Sequence, residues 1–147
     1  MTPFMAAVAE VLSTQSGVGA PDTTVALPRS IGEGADHQVM IRSMAEQMVC
    51  EANAVLGEHD ERIELEDEAV NGQLRFTLRY RDQCAEVSTT FDDRIARSRF
   101  RSEPSGRTSH RRGTELDREL ADPQAVADLI LALIAGAPLT KRHPMEA

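Results

Sequence analysis

An Asn71-Gly72 pair stands between two runs whose residues match outward from it in both polarity and charge. A two-residue loop of this composition favours a type I′ hairpin, in which both central residues take φ > 0. Counting outward sets Ala69 opposite Leu74, Leu65 opposite Leu78 and Ile63 opposite Tyr80 on one face. On the other face Glu68 meets Arg75 and Glu64 meets Arg79. A second turn at Asp82-Gln83 places Tyr80 beside Ala85, Leu78 beside Val87, Phe76 beside Thr89 and Leu74 beside Phe91, so the apolar face continues. A slip of one residue would turn that face to solvent, which specifies the register strongly. A third turn at Asp92-Asp93 leads into a fourth strand, Arg94 to Arg101, whose apolar face offers Ala96, Ser98 and Phe100.

Helical signals flank this sheet. Thr2-Pro3 reads as a cap and first-turn proline for an amphipathic helix over 3–13, with Phe4, Met5, Val8, Val11 and Leu12 at helical spacing. Asp36 can cap a helix that ends at Gly57, where a left-handed stop is expected; its stripe is Ile41, Met44, Ala45, Met48, Ala52, Val55 and Leu56. Asp122-Pro123 opens a third helix, and Gly136 and Pro138 close it. That helix is apolar over more than half its circumference, so it calls for cover by the sheet and by either the first helices or a second subunit. The fold class these signals predict is α+β, a two-layer sandwich of a four-stranded antiparallel meander with helices packed on one face. Residues 1–35 read as an N-terminal helix and flexible linker arm, because Gly17, Gly19, Pro21, Pro28, Gly32 and Gly34 crowd its second half. Residues 36–136 form the α+β domain and 137–147 a C-terminal tail.

The balance of 41% hydrophobic and 27% charged residues over 147 positions is that of an ordinary globular domain. The longest apolar run, Leu129–Ala135, is too short to span a bilayer, and the first residues lack the basic start of a secretory signal. A soluble, cytoplasmic protein with no membrane association is therefore expected. Cys50 and Cys84 are assigned to opposed faces, so no internal disulfide is expected.

No motif commits the chain to a reaction, and no cofactor is implied. His37, His59, His110 and His143 have no neighbour at a trusted zinc-ligand spacing, so no metal site is assigned. No serine sits in a nucleophile elbow, and the glycines of GVGAPD and GEGAD lack the pattern of a phosphate cradle. No catalytic residue is assigned, and a non-catalytic protein is favoured. The methionine row Met40, Met44, Met48 is explained by core packing.

Charge placement is the strongest functional clue. Residues 58–68 hold seven acids and one base, whereas residues 94–112 hold seven arginines and only Glu103 as an acid. Charges of this kind on edge strands discourage unwanted pairing between chains. They also suit contact: Arg94, Arg97, Arg99 and Arg101, with Arg107, Arg111 and Arg112 on the following loop, form a candidate partner-binding surface. Nucleic acid is disfavoured as the partner by the net charge of −8, the absence of tryptophan and the placement of Phe76, Tyr80, Phe91 and Phe100 on the core face. An acidic protein surface is favoured, and a homodimer is expected from the broad apolar surface of 123–135 and the detachable N-terminal arm. The expected function is an interaction module, an adaptor, chaperone-like protein or regulatory dimer. The alternative is a small-molecule-binding or catalytic protein with a pocket between helices and sheet. It rests on Asp67, placed opposite Phe76 on the apolar face: buried and unpaired, that carboxylate would have a raised pKa and suit acid-base work.

Overall fold

The computed structural model describes residues 1–14, 21, 23–104, 118–120 and 122–136. The fold is α+β: three helices, a five-stranded antiparallel sheet and a separate two-stranded sheet. In chain order the elements are α1 (Pro3–Thr14), β1 (Thr23–Val25), β2 (Arg29–Ser30), α2 (Ile31–Leu56), β3 (Glu64–Val70), β4 (Gln73–Tyr80), β5 (Gln83–Asp92), β6 (Ile95–Pro104), β7 (Arg118–Leu120) and α3 (Pro123–Ala135). The large sheet runs β2-β6-β5-β4-β3, and β1 pairs with β7.

The first hairpin has the register its pattern dictates, with Ala69 opposite Leu74, Leu65 opposite Leu78 and Glu68 opposite Arg75. Its turn differs from type I′, because only Gly72, at φ 75°, is left-handed. β5 extends past β4, so that the Phe91 N–H donates to Gly72 O at 2.8 Å and anchors that corner. The second turn falls at Arg81-Asp82 rather than Asp82-Gln83, with Arg81 at φ 55°. Consequently Leu78 faces Ala85, Phe76 faces Val87 and Leu74 faces Thr89, each two residues from the expected partner. A shift of two preserves side-chain parity, so every residue keeps its face. The third turn is Asp93-Arg94, both left-handed at φ 52° and 64°.

The fifth strand is β2, where Arg29 and Ser30 pair with Ala96 and Ile95. It belongs to the stretch expected to be a linker, and it leads directly into α2. That helix begins at Ile31, six residues before the expected start, because Ser30 rather than Asp36 is its cap: Ser30 Oγ accepts from the Glu33 N–H at 3.2 Å and donates to Glu33 Oε1 at 3.2 Å. Gly57 is right-handed at φ −60°; the chain continues through a 3₁₀ turn, Gly57–His59, and the left-handed residue is Asp60 at φ 59°.

The N-terminal region docks on its own body. Thr2 Oγ1 accepts from the Met5 N–H at 3.0 Å and donates to Glu51 Oε1 at 2.8 Å, tying the start of α1 to α2. Val8 and Val11 of α1 are buried in the core beside Val55, Leu56, Ile130 and Leu133. α1 and α2 both pack against α3, which also touches β4. All the apolar side chains between Ala125 and Ile134 except the half-buried Leu131 are buried within the single chain, so α3 needs no second subunit to cover it. The expectation of a dimer loses that motivation, and the arm is not detached. Asp122 caps α3 by accepting from the Ala125 N–H at 2.9 Å, and Gly136 stops it at φ 71°.

Candidate functional site

Helices cover one face of the large sheet, the face that carries Phe76, Leu78, Tyr80, Ala85 and Val87. Side chains of opposite parity project from the other face. Cross-strand rows on that outward face follow from the register. One row is Glu68, Arg75, Ser88, Arg99; the next is Glu66, Thr77, Glu86, Arg101; the row beyond Arg75 is Val70, Gln73, Thr90, Arg97. The face therefore runs from acidic at β3 to basic at β6.

Among the described residues, five arginines are held in ion pairs by acids of the chain, Arg29 with Glu119 among them. Arg75 bridges Glu68 and, at 3.5 Å, Glu86. Arg79 lies opposite Glu64 but donates diagonally to Glu66 at 3.1 Å. Arg42 holds Asp67 and Glu46, and Arg81 holds Glu61. On β6 the pattern changes. Arg97, Arg99 and Arg101 are all exposed, and among the described residues Arg97 and Arg101 have no ion-pair partner. Arg94 is exposed in the turn that starts the strand. Arg107, Arg111 and Arg112 lie outside the described residues.

Asp67 and Phe76 do face each other across β3 and β4, yet they do not line a pocket together. Phe76 is buried in the core, whereas the Asp67 side chain is 55% exposed at the rim. Arg42 donates to both of its oxygens, from Nε at 2.8 Å and from Nη2 at 2.5 Å. Those hydrogen bonds and the guanidinium charge hold the Asp67 carboxyl below its ordinary range, the opposite of a buried, unpaired acid. An open groove of about 530 Å³ lies elsewhere, between α1 and the end of α2, lined by Met1, Met5, Leu12, Val55, Glu58 and His59 among others. Among the described residues, no group of three or more His, Cys, Asp or Glu is placed to hold a metal ion.

A polar cluster inside the fold was not anticipated from the sequence. Arg29 of β2 forks onto Glu119 of β7 at 2.7 and 2.8 Å, and its Nη1 reaches Ser98 Oγ at 3.5 Å. His37 Nδ1 lies 3.9 Å from Glu119 Oε1 and is buried without a hydrogen-bond partner among the described residues. Beside them, Gln38 Nε2 donates to Val87 O at 3.1 Å and Thr89 Oγ1 donates to Gln38 Oε1 at 2.6 Å. Burial pushes the Glu119 carboxyl up, but the hydrogen bonds and charge of Arg29, aided by His37 and Ser98, outweigh it and leave the carboxyl below its usual range. Burial, followed by the Arg29 charge, lowers the His37 imidazole against the opposing pull of Glu119. This cluster fastens β7 and β2 to α2 and β6. Its one sequence signal was polar Thr89 and Ser98 in phase with the apolar residues Phe91 and Phe100; Arg29, His37 and Glu119 are too far apart in the chain to announce one another.

No protein-family model matches the chain, and neither a curated protein nor a solved structure was found to match it. No described helix is long and apolar enough to cross a membrane.

Proposed function

We propose that the protein is a non-catalytic interaction module that recognises an acidic protein surface through the β6 side of the sheet face opposite the helices. The observation that carries this reading is the contrast in pairing: acids of the chain itself hold Arg29, Arg42, Arg75, Arg79 and Arg81, while Arg97 and Arg101 have no such partner among the described residues. Three guanidinium groups at alternate positions of one strand present a row of forked donors suited to carboxylates. Phe76, Tyr80, Phe91 and Phe100 share the helix-covered side, so the arginine row has no aromatic neighbours on which bases could stack. The rival reading, an acid-base pocket around Asp67, loses its anchor because that carboxylate is exposed and paired.

The test is fluorescence anisotropy of labelled poly-L-glutamate and of single-stranded DNA of equal length, against the wild type and Arg97→Ser/Arg99→Ser/Arg101→Ser. Binding of the polyglutamate by the wild type, weakened in the variant and by salt, is the expected result. Equal binding by both proteins, or preference for the DNA, would refute the reading.

A further inference from the structure

We propose that the acidic surface this face takes is that of a second copy of the same chain, stacked face to face across a two-fold axis parallel to the strands. This rests on the reading of the β6 arginines as a contact surface. Homo-oligomers are most often closed by a two-fold axis, so the face must meet itself. Three orientations of that axis bring two such sheets together, and charge separates them. An axis normal to the sheet sets edge strands side by side, β3 against β3, which brings like charges together, or β2 against β2, and in either case leaves the outward face unmet. An axis in the plane between stacked faces but perpendicular to the strands also lays β3 over β3 and β6 over β6. Only the axis parallel to the strands reverses the strand order, laying β6 over the partner's β3 and β5 over the partner's β4.

That operation keeps each row at its own level along the strands. Arg99 then faces the partner's Glu68 and Arg101 faces the partner's Glu66, and each contact occurs twice by symmetry. Ser88 faces the partner's Arg75. Small side chains at the middle of the face, Thr77, Ser88 and Thr90, leave room for close approach. Four strands spaced by about 4.8 Å, over about seven residues at about 3.3 Å each, give a footprint of roughly 450 Å² per copy. Such an area belongs to weak, reversible complexes, so the dimer forms at tens of micromolar and responds to salt.

Sedimentation velocity on the full chain tests this. The wild type is expected to dimerise at low salt and to weaken at least about tenfold between 0.1 M and 1 M salt, as screening shortens from about 10 to about 3 Å. Arg97→Glu/Arg99→Glu/Arg101→Glu alone should be monomeric, and so should Glu66→Arg/Glu68→Arg alone. Mixed, the two should form a heterodimer, since both of their contacts then join opposite charges. Circular dichroism establishes that each variant is folded. Independently of those variants, the axis sets the two Cys84 Cα atoms about 11 Å apart, one strand spacing sideways and one sheet spacing across. A short bismaleimide should therefore link Cys84 to Cys84 in Cys50→Ser protein at low salt. A wild type that stays monomeric, a mixture that stays monomeric, or dimers that never link through Cys84 would overturn the proposal. If the wild type is monomeric yet loses polyglutamate binding on arginine-to-serine substitution, the dimer falls and the interaction reading stands. If the substitution changes no binding, the interaction reading itself falls.

Discussion

Gly34 packs α2 closely against Ala96 of β6, and replacing it with alanine should destabilise the protein despite improving helix propensity. A Cβ built on Gly34 lies 2.1 Å from Ala96 Cβ and 3.5 Å from Thr89 Cγ2. Carbon atoms settle at about 3.5–4.0 Å, so α2 would have to retreat by roughly 1.5 Å. One turn further on, Gln38 is hydrogen-bonded to Val87 O at 3.1 Å and to Thr89 Oγ1 at 2.6 Å, and both bonds are buried. Neither survives such a retreat. Overpacking costs about 1–3 kcal/mol. Leaving buried polar groups unpaired adds about 1–3 kcal/mol, while alanine returns about 1 kcal/mol of helix propensity. The expected net loss is about 1–5 kcal/mol, read as a lower urea midpoint at unchanged slope. Two controls isolate the cause. Gly32→Ala, with nothing within 4 Å, should stabilise by up to about 1 kcal/mol. Adding Ala96→Gly to Gly34→Ala should recover most of the loss, because one methyl group is exchanged for the other. A Gly34→Ala protein as stable as the wild type, or a double variant no better than the single one, would refute the reasoning.

The buried pair should dominate the pH dependence of stability. Glu119 has a folded pKa below its unfolded value of 4.5, so its contribution is present above that pH and is lost as the pH falls through the folded value. His37 is also lowered, so below about pH 6.5 the unfolded chain takes up a proton that the folded one resists, and stability declines from there as well. Glu119→Gln should cost about 2 kcal/mol at pH 7, less than a fully buried pair because Arg29 and Glu119 are 27% and 11% exposed. It should also steepen the decline between pH 7 and 5.5, since His37 loses the charge that favours its protonation; an unchanged slope in denaturant titrations across that range would contradict this. The cysteines form no disulfide with each other: Cys50 is exposed on α2, and the parity of Cys84 puts it on the face of the sheet away from the helices. Protein stored without reductant should show no intramolecular Cys50–Cys84 linkage in peptide mapping. Changing Arg97 and Arg101 to serine should leave thermal stability within about 0.5 kcal/mol per site, because exposed substitutions that break no ion pair are nearly neutral.

The sheet was legible because a period of two is self-checking. Polarity and charge fixed which face of each strand meets the helices even though two turns lie one residue from their expected places. The ends of α1 and α3 were equally legible, since Thr2-Pro3 and Asp122-Pro123 carry cap and proline together. The region before α2 was misread because its glycines outweighed a capping box: Gly34 is there for close approach to Ala96, not for flexibility. The strand β2 has only two residues and no periodicity to detect. Of the candidate site, the arginine row was visible at i, i+2, i+4. What was not visible is that Asp67 has Arg42 as a partner from 25 residues away on another element. Ion pairs of that separation depend on where a helix crosses a sheet, which local pattern does not encode.

The most direct measurement is an amide chemical-shift titration of the wild type with a short glutamate-rich peptide at low salt. The account predicts shifts concentrated at Arg97, Arg99 and Arg101 and at their row neighbours Ser88 and Thr90, reversed by added salt. Shifts confined to the groove between α1 and the end of α2, or none at all, would contradict it.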